Sequence, residues 1–168
     1  MAKRLLSIES IKIGDIEADG GMSTSLAALG TTYEGTCQMT KPEAEETPEF
    51  CEENDDPEEI ITKKGVTTFV WGISDWTPDV IVKVFGGTVT TTGVAPDEVD
   101  TWNEPDSAPK IEQSLEIKSK SGVTIAAPRV RITASVDDNI GKGKSSVITV
   151  KATVMKPTKA DTPSMSIT

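Results

Sequence analysis

Residues 65–87 read GVTTFVWGISDWTPDVIVKVFGG, and this stretch predicts a strand followed by a short helix. In its first half, Phe69, Trp71 and Ile73 alternate with smaller residues, so the three large apolar side chains share one face of a strand. Thr68 and Val70 lie on the opposite face, and both residue types favour strands. The stretch therefore predicts a strand with one face buried in the core.

The second half of the stretch predicts a helix of about eight residues, at about 78–85. Thr77 is the expected N-cap, Pro78 suits the first helical position, and Gly86 suits the residue after the C-terminal end. A helix this short is not stable alone, so it must pack against the rest of the fold. Its predicted apolar face has four members: Val80, Ile81, Val84 and Phe85.

The rest of the chain shows mainly strand patterns, in which apolar residues alternate with polar ones. The first strand slips by one residue near Glu9 and Ser10, which predicts a β-bulge. Lys64-Gly65 is interpreted as a hairpin turn, 94–107 as a loop, and 137–144 as a polar turn. The predicted strands cover residues 5–16, 36–41, 60–63, 66–74, 88–92, 110–119, 122–136 and 146–155.

These patterns predict a mainly β fold, an antiparallel β-sandwich or a partly open barrel with one short helix. The length of 168 residues suits one domain, which we assign to residues 1–155. Residues 156–168 contain two prolines and few apolar side chains. We therefore expect them to form a flexible C-terminal tail.

All of the net charge lies in one segment, residues 43–59, which has ten acidic residues and no basic one. The chain has 27 acidic and 17 basic residues, so 17 of each remain outside that segment. High charge and the prolines at positions 42, 48 and 57 predict a mobile or extended loop. We expect it either to be simply solvated or to act in assembly, through these residues: Glu43, Glu45, Glu46, Glu49, Phe50, Glu52, Glu53, Asp55 and Asp56.

Phe50 is the only aromatic residue of the acidic segment, and we expect it to pack either locally or on a neighbouring subunit. A divalent-metal site is the weaker alternative for the carboxylates. Residues 52–56 lack the alternate ligand spacing and the glycine of an EF-hand loop. We therefore expect no metal there.

Several classes of function are disfavoured by composition. The chain has no histidine, which removes the commonest general base and metal ligand, so we expect neither an enzyme nor a cofactor. The carboxylates beside tryptophan, at Asp75 and Glu104, are weak candidates for glycoside hydrolysis. Residues 141–146 lack the spacing of a phosphate-binding loop.

Location and partners are constrained in the same way. A charge of −10 without long basic runs argues against tight nucleic-acid binding. No apolar run approaches the length of a membrane span, and the N-terminal residues lack a signal-peptide pattern, so we expect a cytosolic chain with no membrane partner. Cys37 and Cys51 could pair, but two reduced thiols fit a cytosolic chain better.

The order of elements in the first 90 residues resembles that of bacteriophage tail tube proteins. The matching pieces are residues 35–39, the acidic segment, the strand at 65–71, and the helix with its flanks at 75–87. The family pattern has an early strand, a long loop, a strand, a variable acidic loop, a Thr- and aromatic-rich strand, and a short helix ending in glycine. Residues 94–107 have no counterpart in it.

The resemblance implies a β-sandwich subunit that self-assembles into hexameric rings. The rings stack into a tube in the virion tail, made in the bacterial cytoplasm, which contacts other tail proteins and lets DNA pass without specific binding. The tube protein of type VI secretion is the near alternative. An immunoglobulin-like binding module is a second hypothesis from another class.

Overall fold

A computed structural model describes residues 4–137, 141, 143 and 145–168. The fold is mainly β, with antiparallel sheets, one short helix and no closed barrel in this part of the chain, which confirms the predicted fold class. The elements are β1 (Ile8–Gly14), β2 (Ala27–Ala28), β3 (Gln38–Thr40), β4 (Glu45–Cys51), β5 (Asn54–Lys63), β6 (Thr68–Ile73), α1 (Pro78–Phe85), β7 (Thr88–Thr92), β8 (Val99–Asn103), β9 (Ile111–Ser119), β10 (Thr124–Ser135), β11 (Ile148–Val154) and β12 (Ser166–Ile167).

One large sheet supplies most of the core. Its strands run in the order β2-β1-β9-β10-β11-β6-β3, and β12 pairs separately with β10. The register of β10 against β9 shifts between Ala127 and Val130, around Pro128, which has no N–H to donate. The first half of β10 pairs with β12 and the second half pairs with β11. The long strand therefore changes neighbours at the proline.

The inward face of this sheet is apolar, as the alternation predicted. Phe69, Trp71 and Ile73 of β6 are each at most 1% exposed. The register aligns them with the inward residues of β11: Trp71 lies opposite Val150 and Phe69 opposite Ala152. The same core cluster also contains residues of β1, β9 and β10: Ile11, Ile13, Leu115, Ile117, Ile125, Val130 and Ile132.

The helix has the predicted bounds, and part of its apolar face is buried. Val80 and Val84 are buried, whereas Ile81 and Phe85 are half-buried against the core. Thr77 has extended backbone angles but makes no side-chain capping bond; instead its N–H donates to Asp75 Oδ1 at 3.0 Å. At the other end, Gly86 has φ 75° and donates its N–H to Val82 O at 2.9 Å.

The predicted loop at 94–107 needs correction, because part of it is paired. Strands β7 and β8 form a hairpin, in which Val89 lies opposite Trp102. The Trp102 indole N–H donates to Gly86 O at 2.8 Å, and its ring lies 6.2 Å from that of Phe85. The hairpin therefore packs on the C-terminal end of α1. The sequence did not predict β8, because its Val99 and Thr101 stand among acidic residues.

The predicted loose tail also needs correction. Pro157 is buried and Met165 packs against the core. Thr168 and Thr124 exchange backbone hydrogen bonds of 2.9 and 3.1 Å, and Lys159 Nζ lies 2.6 Å from Asp19 Oδ2. The last residues are thus bound to the edge of β10 that β11 leaves free. The domain boundary at residue 155 remains a prediction.

Two sequence features have different outcomes. The bulge in the first strand is confirmed, since the register of β1 shifts between Ile8 and Ser10. The polar turn at 137–144 falls largely on residues 138–140, 142 and 144, which lie outside the described residues.

No helix in the described ranges has the length and apolar character needed to span a lipid bilayer.

An ion-pair group on the outward face of the sheet predicts a pH-dependent stability. Glu112 accepts hydrogen bonds from Arg129 at 2.7 Å and Arg131 at 3.2 Å, and the Arg129 bond is the main cause of a lowered pKa. A pKa below its ordinary value of 4.5 means that this stabilisation is present at neutral pH and is lost as pH falls. We expect Glu112→Gln to unfold at lower urea than the unmodified protein at pH 7.

The same comparison at a pH below the lowered pKa of Glu112, where the carboxyl is protonated in both the folded and the unfolded state, should show a much smaller difference. The exposed Glu34→Gln serves as the matched control and should change the urea midpoint little at either pH. A Glu112→Gln effect that stays constant from pH 7 to pH 3 would contradict the assignment.

Candidate assembly hairpin

The acidic segment forms a β-hairpin, so its prediction as a mobile or extended loop was wrong. Strands β4 and β5 are antiparallel, with Glu45 opposite Lys63 and Pro48 opposite Ile60. The predicted pairing of 60–63 with 66–74 around Lys64-Gly65 was also wrong. Strand β5 pairs with β4, and β6 pairs with β11 and β3. We call residues 45–63 the acidic hairpin.

The predicted assembly residues are distributed along this hairpin. Glu43 precedes it, Glu45, Glu46, Glu49 and Phe50 lie on β4, Glu52 and Glu53 lie at the turn, and Asp55 and Asp56 lie on β5. All nine are exposed. Glu49 lies directly opposite Glu59, an arrangement of like charges that weakens a hairpin. The salt bridges of the described residues include none of these carboxylates.

The acidic hairpin also carries exposed apolar side chains on each of its faces. Phe50 is 62% exposed, Ile60 53% and Ile61 49%. Neighbouring residues of a strand point to opposite faces, so Ile60 lies on one face with Pro48 and Ile61 lies on the other with Thr47. The sequence predicted a strand at residues 60–63, but it did not indicate that Ile60 and Ile61 would be exposed on this hairpin.

The chain's own described residues leave this hairpin uncovered. In the described ranges, neither β4 nor β5 pairs with another strand, and all their residues are exposed except Cys51, which is half-buried. An isolated two-stranded hairpin is at best marginally stable in water. Two unpaired strand edges and exposed isoleucines therefore favour contact with another surface.

The base of the hairpin is closely packed. A Cβ built on Gly65 would lie 2.7 Å from Pro42 Cγ and 2.9 Å from Glu43 O. The two chain segments that enter and leave the hairpin therefore approach each other at this glycine, where a side chain would not fit. The glycine that was interpreted as a turn residue instead permits this close approach.

Within the described residues, no group of three or more His, Cys, Asp or Glu side chains is placed to hold a metal ion. Cys51 Sγ lies 3.2 Å from Glu58 Oε1, and Cys37 and Cys51 are both free thiols. Burial raises the pKa of the Cys37 thiol.

Of the two weak glycosidase candidates, Asp75 has a structural role, whereas Glu104 is exposed beside β8. Asp75 accepts the N–H of Thr77 at the start of α1, and the Trp76 indole N–H donates to Ser146 O at 3.0 Å. Trp102 packs against α1 as described above. In the segment 141–146, which was considered as a phosphate-binding loop, residues 142 and 144 lie outside those that the structure describes.

No protein-family model matches the chain, and no curated protein is significantly similar to it.

Proposed function

We propose that this chain is a structural subunit of a phage or prophage tail tube, which self-assembles into stacked hexameric rings around a DNA conduit. The observation that carries the proposal is the acidic hairpin. It is exposed, it carries exposed apolar side chains on each face, and the described part of its own chain leaves it uncovered. It also stands between a short strand and a Thr- and aromatic-rich strand, where the tail-tube pattern has its variable acidic loop.

The strand edges of the fold suit a ring. An unpaired edge of one subunit pairs with an edge of the next, and a closed ring leaves none free. The acidic hairpin offers two such edges, and apolar side chains on both faces give a neighbour something to bury. The proposed partner of the hairpin is therefore a second copy of this chain.

The charge distribution suits a conduit. Outside residues 43–59 the acidic and basic residues are equal in number, so the subunit body has no excess positive charge to hold DNA phosphates. The excess negative charge on the hairpin repels unassembled subunits from one another. Assembly would then depend on a template such as the tail initiator complex, and other tail proteins would be the remaining partners.

The proposed role is non-catalytic, needs no cofactor and no membrane, and belongs to the virion tail after synthesis in the bacterial cytoplasm. A type VI secretion tube shares the subunit geometry and is the near alternative. An immunoglobulin-like binding module would share the mainly β fold but not the self-assembly. Analytical sedimentation over a range of protein concentrations distinguishes the binding module from the tube subunit, because the binding module should remain a monomer at every concentration.

Limited proteolysis tests the role of the acidic hairpin. Because no strand in the described part of the chain covers the hairpin, we expect the first cleavages of the monomer to fall within residues 43–63. In the assembly a neighbour would cover the same residues, and cleavage there should slow at least about tenfold, since each factor of ten needs only about 1.4 kcal/mol of protection. Mass spectrometry of the fragments locates the cuts. Equal cleavage rates in monomer and assembly would contradict the proposal.

A further inference from the structure

The N-terminal segment, residues 4–7, is bound by its backbone to the turn between β9 and β10. Leu6 O accepts a hydrogen bond from Ser119 Oγ at 2.6 Å, and Leu6 N donates to Ser121 Oγ at 3.4 Å. Ser121 Oγ also donates to Arg4 O, and Lys120 N donates to Ser7 O at 3.0 Å. The backbone is therefore fixed, while the side chains remain available.

Those side chains form a small basic and apolar surface. Leu5 is 57% exposed and Leu6 is 59% exposed. Arg4 is also exposed and belongs to none of the ion pairs of the described residues. Two adjacent exposed leucines beside an unpaired guanidinium are suited to an apolar groove with carboxylates at its rim.

Such a groove lies beside the C-terminal end of α1. It has a volume of about 380 Å³ and lies between the helix, the start of β9, the end of β10 and the connection 104–109. Its apolar lining includes Val84, Phe85, Ile111 and Ile132. Glu104 and Asp106 also line it, are exposed, and form no salt bridge within the described ranges.

The segment and the groove lie at opposite ends of the same strand. Ile111 begins β9 at the groove, and Ser119 ends it at the N-terminal segment. Nine residues of strand span about 27 Å at roughly 3.4 Å per residue. Because hydrogen bonds fix residues 4–7 at the far end, the Leu5 and Leu6 side chains do not reach the groove of their own molecule.

We propose that the N-terminal segment of one copy of this chain docks in the α1 groove of the next copy. Leu5 and Leu6 contact the apolar lining, and the Arg4 guanidinium pairs with Glu104 and Asp106. The N-terminal segment and the α1 groove are different surfaces, so the contact is head-to-tail and repeats from copy to copy. The choice of a second copy as the partner rests on the proposed self-assembly. Both surfaces are separate from the acidic hairpin.

Disulfide trapping tests this contact directly in the full chain. In a background with Cys37→Ser and Cys51→Ser, one copy carries Leu6→Cys and a differently mass-labelled copy carries Ala108→Cys, at the groove. Under mild oxidation we expect a mixed disulfide between the two labelled copies. Ala160→Cys, an exposed alanine away from the groove, is the matched control and should give at least tenfold less mixed disulfide.

Charge reversal identifies the ionic part of the contact. Arg4→Glu on the Leu6→Cys copy should reduce trapping severalfold, and Glu104→Lys with Asp106→Lys on the Ala108→Cys copy should restore it. Equal trapping at residues 108 and 160, or no trapping with either, would overturn the proposal. Trapping at residue 108 without any tube would leave this contact established and count against the tube instead.

Discussion

Deletion of the acidic hairpin, residues 45–63, should leave a folded subunit and abolish rings and tubes. The chain enters and leaves the hairpin at adjacent points, since Pro42 and Glu43 approach Gly65 closely, so a short Gly-Ser linker spans the gap. Shortening a surface loop costs little closure entropy, and the buried core has no member in the hairpin. Thermal unfolding should therefore change by only a few degrees, while light scattering should show no large assemblies.

Two substitution variants separate the contributions of charge and apolar surface. Replacing Phe50, Ile60 and Ile61 with serine keeps every carboxylate but removes the surface that a neighbour would bury. We expect it to block assembly nearly as completely as the deletion. Replacing Glu45, Glu46 and Glu49 with glutamine keeps the apolar residues and should permit assembly with a weaker dependence on salt. Normal assembly of the serine variant would contradict the role of the hairpin.

Trp71→Ala should cause the largest loss of stability among single substitutions in the core. Trp71 is fully buried on β6, between β11 and β3, and truncation of a buried aromatic side chain costs about 3–5 kcal/mol. For a domain of this size, we expect the midpoint of thermal unfolding to fall by roughly 10 °C. Urea unfolding followed by circular dichroism measures the loss.

Trp71→Phe is the matched control for this substitution. The indole Nε1 of Trp71 is buried and has no hydrogen-bond partner among the described atoms, so phenylalanine removes a group that is costly to bury. The phenylalanine variant should therefore lose much less stability than the alanine variant. A loss below about 1 kcal/mol for Trp71→Ala would mean that β6 does not bury this face.

The features that the sequence predicted well are local ones. The bounds of α1 follow from Thr77-Pro78 and Gly86, and the β1 bulge follows from one slip in the alternation of apolar residues. The inward face of β6 follows from three alternate large side chains. Each of these signals lies within a few residues of the feature that it predicts.

Strand pairing was harder to predict, because it depends on residues that are distant in the chain. The acidic hairpin pairs Glu49 with Glu59 despite their like charge and contains prolines in both strands, so composition favoured a loop. Strand β12 has only two residues, and its place is set by the edge of β10 that β11 leaves open. Neither pairing has a signal in the neighbouring sequence.

The candidate site was predicted in part for the same reason. The carboxylates and Phe50 were identified because the charge is concentrated in one segment. The exposed apolar side chains of Ile60 and Ile61 were not identified, because their place on the hairpin depends on the register of β4 against β5. The α1 groove was missed entirely, since it is formed by the helix, two strands and a connection that are far apart in sequence.

Electron microscopy of the concentrated intact protein, alone and with a tail initiator complex, tests the central claim most directly. Six domains of this size around a channel predict rings or tubes about 80–100 Å wide. The account predicts such rings for the intact chain and none for the chain that lacks residues 45–63. An intact chain that remains monomeric at millimolar concentration, and also fails to assemble on the initiator, would contradict it.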